Sequence, residues 1–200
     1  MDQELYFDLL KRVIAAEKRI ENLEQALEHR AGANPEIATQ KPAKISTRQI
    51  ALNFVAEQVG TRFPQFHLVG SASQGKNRLQ IVNGYGETKN ILLASSRNHA
   101  RSVKVEFESW NTVSASALED NEFFILSAEG GEDDPHVFIF SQEQMRNLCS
   151  LKMPDHENKF RFKIVRDRAG VFWDQNPQDI PTEPIDITWA YTKWDTLAWI

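Results

Sequence analysis

The chain holds 200 residues, 41% hydrophobic and 26% charged, with 23 Lys and Arg against 28 Asp and Glu for a formal net charge of -5. That length allows one sizeable core with an appendage, and the composition excludes collagen-like and wholly disordered chains. A single cysteine, Cys149, excludes a disulfide framework and a four-cysteine zinc site; the short apolar runs and an N-terminus without a secretory pattern lead to the expectation of a cytoplasmic protein.

The first thirty residues carry a heptad pattern. Tyr6, Val13, Ile20 and Leu27 fall in one register, and Leu9, Ala16 and Leu23 in the other. β-Branched Val13 and Ile20 at the a positions, with Leu9 and Leu23 at d, favour two parallel strands. In that arrangement Arg12 meets Glu17 of a second copy and Arg19 meets Glu24, whereas an antiparallel pair would bring like charges together. A parallel homodimer through residues 5–30 is therefore expected, with Leu9, Val13, Ala16, Ile20, Leu23 and Leu27 as its seam. The competing reading is an amphipathic helix lying on its own domain. Residues 31–45, AGANPEIATQKPAKI, hold two prolines and a glycine among small and polar residues, the composition of a linker.

A globular domain is expected over 46–200. Ser46 and Gln49 have capping-box spacing, and Ile50, Ala51, Phe54 and Val55 mark one face of a helix ending near Gly60. Short β-type runs follow at Phe66–Gly70, Arg78–Val82, Asn90–Ser95, Val103–Glu108, Phe123–Ala128 and Val137–Phe140. Asn83-Gly84 reads as a hairpin turn. Ser141 and Gln144 open a second helix over Met145, Leu148, Cys149 and Leu151, and Phe160, Phe162 and Ile164 mark a half-buried strand. In the tail, Ile187, Tyr191, Trp194 and Ala198 fall at helical spacing, as core aromatics rather than a stacking surface. Helix, strands, helix and strand read as α/β or α+β around a mixed sheet.

The charge is unevenly divided. Residues 46–112 carry 8 basic and 4 acidic side chains, net +4, and residues 113–200 carry 8 and 16, net -8. A polyanion would therefore meet the first of these stretches. Its most basic segment, Arg97 to Lys104 after Ser95 and Ser96, offers the donors that meet phosphates: Ser95, Ser96, Arg97, His99, Arg101 and Lys104 are candidate nucleic-acid-binding residues. An ordinary exposed loop is the alternative. Five scattered histidines show no zinc spacing, and Cys149 falls on the apolar side of its helix.

Ser95-Ser96-Arg97, Trp110, the run Asn121 to Leu126 and the run His136 to Ser141 occur in an order that resembles the small bacterial proteins of the restriction-endonuclease-like, PD-(D/E)xK, superfamily over about residues 46–152. The resemblance implies a nuclease fold in which an aspartate and a Glu-x-Lys strand hold Mg²⁺ and activate water. Arg78, Leu79 and Gln80 stand where the aspartate belongs, and Leu92-Leu93-Ala94 where Glu-x-Lys belongs. Ala94 could be an engineered knockout, yet the absent carboxylates would still need explaining, so natural degeneration is simpler.

Three functions follow. The first is a catalytically degenerate pseudoenzyme that binds DNA or a nuclease partner through residues 95–104 as a coiled-coil dimer, in a mobile-element, restriction or phage-defence setting that the resemblance implies. The second is an active Mg²⁺-dependent endonuclease with a displaced site drawn from Glu87, Lys104, Glu106 and Glu108, the last three alternating on one predicted strand face. A protein-interaction module is the third. No cofactor is expected unless the displaced site is active, when it would be Mg²⁺.

Overall fold

The computed structural model describes residues 45–70, 78–100, 106–130, 134–175 and 183–199. The chain divides into two units, 1–44 and 45–200. The heptad seam of Leu9, Val13, Ala16, Ile20, Leu23 and Leu27, and most of the linker, lie outside the described residues, as do Arg101 and Lys104.

The second unit opens with helix α1, Thr47–Arg62, capped by Ser46, whose Oγ accepts from the Gln49 amide at 3.2 Å. It ends before Pro64, because the ring disfavours helical geometry in the residue preceding it. Ala51, Val55 and Val59, spaced by four, are its buried residues. Strands β1 (His67–Gly70), β2 (Arg78–Val82) and β3 (Thr88–Ser96) form an antiparallel meander. Between β2 and β3 the Asn83-Gly84 turn is longer than a two-residue turn. Asn83 Oδ1 accepts from the Tyr85 and Glu87 amides at 3.0 and 2.9 Å, and Gly86, at φ 83°, is the residue in left-handed geometry.

From β3 the chain leaves this sheet. Strand β4 (Phe107–Ser114) and the short helix α2 (Ala117–Asp120) intervene before β5 (Phe123–Ala128) returns to lie parallel to β3. Strand β6 (His136–Ser141) pairs antiparallel with β5, and helix α3 (Gln142–Ser150) follows with the expected capping box. The last strands are β7 (Lys159–Arg166), β8 (Phe172–Asp174) and β9 (Ile185–Asp186). Among the described residues two sheets result: a mixed one ordered β1-β2-β3-β5-β6, and an antiparallel one ordered β4-β7-β8-β9.

The fold is α+β with a mixed sheet, but the expectation of one sheet needs correction. Burial on both faces explains the continuous run FFILSA of β5, all six residues of which are buried. One face, with Leu79, Ile81, Ile91, Leu93, Phe123 and Ile125, packs beneath α1. The opposite face, with Leu92, Ala94, Phe124 and Leu126, joins Phe107, Phe162 and Ile164 of the second sheet. Two elements also depart from expectation. The described part of the Val103–Glu108 run is strand only from Phe107, and the strand runs on through Trp110 to Ser114. The tail forms two 3₁₀ turns, Thr188–Ala190 and Trp194–Leu197, instead of one helix. Packing of Trp194 and Leu197 beneath α1 overrides the helical spacing.

Candidate functional site

Strand β3 carries or adjoins the described positions at which the resemblance would put a metal site. Its register sets Arg78 opposite Leu92 and Gln80 opposite Asn90 on β2, and Ala94 beside Leu126 on β5. Leu92 is 8% and Ala94 6% exposed, both in the apolar layer between the sheets. Ordinary sheet alternation puts these two side chains there, and neither offers an oxygen ligand or a cation. At the rim of the same face Arg78 Nη2 meets Asp120 Oδ2 at 2.5 Å, Gln80 Nε2 donates to Asn90 Oδ1 at 3.1 Å, and the Asn90 amide donates to Glu122 Oε2 at 2.7 Å. The Arg78 guanidinium is thus paired with the Asp120 carboxylate. Sequence reading missed Asp120 and Glu122 here, since pairing across 30 to 42 residues leaves no local pattern.

The carboxyl end of β3 reaches the surface. Ser96 is buried; its Oγ donates to the Arg97 carbonyl at 2.9 Å and accepts from the Trp110 amide at 2.9 Å. This hydroxyl ties β3 to β4, which removes it from the expected phosphate donors. Ser95 is half-buried, whereas Arg97, Asn98 and His99 are exposed. Asn98 Oδ1 accepts from the Ala100 and Glu108 amides at 3.0 and 3.2 Å, and the His99 amide donates to the Glu108 carbonyl at 2.7 Å. Backbone and amide groups thus fix the start of the loop while the Arg97 and His99 side chains stay in solvent.

Among the described displaced-site candidates, Glu87 stands apart from Glu106 and Glu108. Glu87 sits in the β2–β3 turn, where its carboxylate accepts from Asn83 Nδ2 at 2.7 Å. Glu108 lies beyond the opposite end of β3, half-buried, accepting from Trp110 Nε1 at 3.0 Å and 3.5 Å from Lys163 Nζ. The nine residues of β3, about 30 Å of extended chain, separate the two. Glu106 is exposed in a bend before β4, off the strand face on which it was expected. Among the described residues, no three His, Cys, Asp or Glu side chains come together as a metal site.

The outward face of the second sheet was not anticipated. Trp110 and Trp173 flank a row of Lys159, Arg161 and Lys163 on β7, with Lys163 Nζ 5.3 Å from the Trp110 ring centroid. Each cation already has a carboxylate: Lys159 has Glu157 at 2.5 Å, Arg161 has Asp155 at 2.9 Å, and Lys163 has Glu108. Desolvation raises the Asp155 carboxyl, but the Arg161 guanidinium and the Lys159 and Glu157 amides outweigh it and hold the group below the ordinary carboxylate range. The alternation of Phe160, Phe162 and Ile164 with charged residues was the available signal for this face.

No family model, curated protein or solved structure matches the chain. Among the described residues no helix is long and apolar enough to cross a membrane. Chemically, the end of β3 offers the exposed Arg97 and His99 side chains, with Glu106 and Glu108 at the neighbouring start of β4.

Proposed function

We propose that the chain is a catalytically degenerate protein of the restriction-endonuclease-like kind, which binds nucleic acid without cutting it and is held as a parallel homodimer by residues 5–30. The observation that carries this reading is the β3 face. Where metal ligands and a lysine would stand, Leu92 and Ala94 are buried in an apolar layer and Arg78 faces Asp120. The order of α1, the β2–β3 hairpin, β5 parallel to β3, and β6 leading into a capped helix supports the resemblance. The exposed Arg97 and His99, with Arg101 and Lys104 beyond them in sequence, supply the phosphate donors. A bacterial mobile-element or defence setting and a cytoplasmic location belong to the same proposal.

The test is titration of labelled single- and double-stranded DNA at several salt concentrations, with and without Mg²⁺. Affinity falls with salt, and Arg97→Ala with Arg101→Ala weakens binding and lowers the salt slope by about 2. Mg²⁺-dependent cleavage, or binding indifferent to salt, would sink the proposal. A second reading, a protein-interaction module, is favoured by the outward face of the second sheet, whose ion-paired cations present little net charge to phosphate.

A further inference from the structure

Among the described residues, strand β4 is an edge of the antiparallel sheet, with β7 as its ladder partner. Its other side is partly taken by the end of β3 and the segment that follows. The Trp110 amide donates to Ser96 Oγ at 2.9 Å, the Glu108 amide to Asn98 Oδ1 at 3.2 Å, and the His99 amide to the Glu108 carbonyl at 2.7 Å. With Ser96 beside Trp110 and His99 beside Glu108, residues 96–99 run along Glu108–Trp110 in the opposite direction. The exposed Arg97 and His99 thus belong to a segment pinned to the same stretch of strand that carries Trp110.

Along β4 the buried Phe107, Ser109, Asn111 and Val113 alternate with Trp110, which is 40% exposed on the outward face. Its ring is held in place: Nε1 donates to Glu108 Oε1 at 3.0 Å, and Lys163 Nζ lies 5.3 Å from the ring centroid. An indole fixed in this way loses little freedom when a flat partner stacks on it. The charges around it fall into two groups. Glu108 and Lys163, 3.5 Å apart, are paired with each other. Arg97 and His99 form no ion pair among the described residues, which leaves both to meet a phosphate.

We propose that the nucleic acid is engaged as a single strand, with an unpaired base stacked on Trp110 and the adjoining phosphates on Arg97 and His99. The inference rests on the nucleic-acid reading above and narrows it to a substrate class. An aromatic ring accepts any unpaired base, because each has a π face, whereas a duplex keeps those faces inside its own stack. Glu106, exposed in the bend before β4, repels the strand and limits its affinity.

The test is fluorescence anisotropy of the full chain with three labelled probes at several salt concentrations: a single-stranded oligonucleotide, the same sequence as a duplex, and the same strand with abasic positions. The intact single strand is expected to bind most tightly. Trp110→Ala should weaken its binding about tenfold, and weaken duplex binding far less, while the salt slope is retained because no phosphate contact is removed. Trp110→Phe, which keeps a ring, should restore most of the affinity, and urea midpoints of both variants separate loss of stacking from loss of fold. Equal binding of single strand and duplex, no effect or an equal effect of Trp110→Ala on both, or an abasic strand bound as tightly as the intact one would each overturn the stacking and leave the nucleic-acid reading standing. Absence of salt-dependent binding to all three probes would overturn both.

Discussion

Lys152 and Asp174 form an ion pair from which solvent is excluded, with both side chains at 0% exposure and Nζ 2.5 Å from Oδ2. Lys152 Nζ also donates to the Arg161 carbonyl at 3.2 Å and lies 4.6 Å from the Phe162 ring centroid, while Asp174 Oδ1 accepts from the Lys163 amide at 3.0 Å. Desolvating two charges offsets much of their attraction, but removing one partner strands the other. Lys152→Ala is expected to cost about 3–5 kcal/mol in urea denaturation. Lys152→Met combined with Asp174→Asn, which keeps the acceptor for the Lys163 amide, should recover most of that loss. A different balance holds Asp167. Its carboxylate accepts from Trp173 Nε1 and from the Val171 and Ala169 amides, each at 2.9 Å, and these bonds outweigh desolvation and keep its pKa below the ordinary value. A carboxyl depressed in the folded state contributes stability that is full above about pH 4 and is lost as the pH falls through its folded value. The acid limb of a urea-midpoint profile should therefore be shallower in Asp167→Asn than in the parent chain.

Among the elements, α3 shows how local sequence can settle a structure. Ser141 Oγ accepts from the Gln144 amide at 3.2 Å, and Gln144 Oε1 accepts from the Ser141 amide at 2.8 Å. Ser141→Ala is expected to cost about 1 kcal/mol in thermal or urea unfolding, and no loss would mean that tertiary packing alone holds the helix. That box was legible because its partners lie three residues apart, as was Ser46 for α1. The β7–β8 turn is different, since Gly170 has φ 84° and Gly170→Ala forces a side chain into the left-handed region. A loss of about 1 kcal/mol is expected. In the tail, the spacing of Ile187, Tyr191, Trp194 and Ala198 misled because the burial of each is set by a separate contact. Tyr191 bridges to Phe138 on β6, whereas Trp194 packs near Phe54 of α1.

For the whole molecule, most strands were legible, but β8 and β9 were not, β4 begins among the described residues only at Phe107 instead of Val103, and the assignment to two sheets was not legible at all. Alternation identifies a strand but carries nothing about its partner, and β4 pairs with β7 across about fifty residues of chain. Similarly, Arg97 and His99 could be picked out as exposed donors, whereas the Arg78–Asp120 contact depends on distant segments meeting. The expected dimer belongs to this scale too. Sedimentation of the chain lacking residues 1–31 should show a shift from dimer to monomer; an unchanged oligomeric state would reject the coiled-coil seam.

The stacking of Trp199 on Phe66, at 4.6 Å between centroids, and the burial of Trp194 and Leu197 beneath α1 have a consequence for biosynthesis. A helix translated near residue 50 waits for side chains made some 150 residues later to complete its core. Throughout that interval the nascent chain presents an unfinished apolar surface between α1 and the first strands, a surface of the kind that chaperones engage. A stalled ribosome releasing the chain before residue 194 would liberate a species with this gap still open.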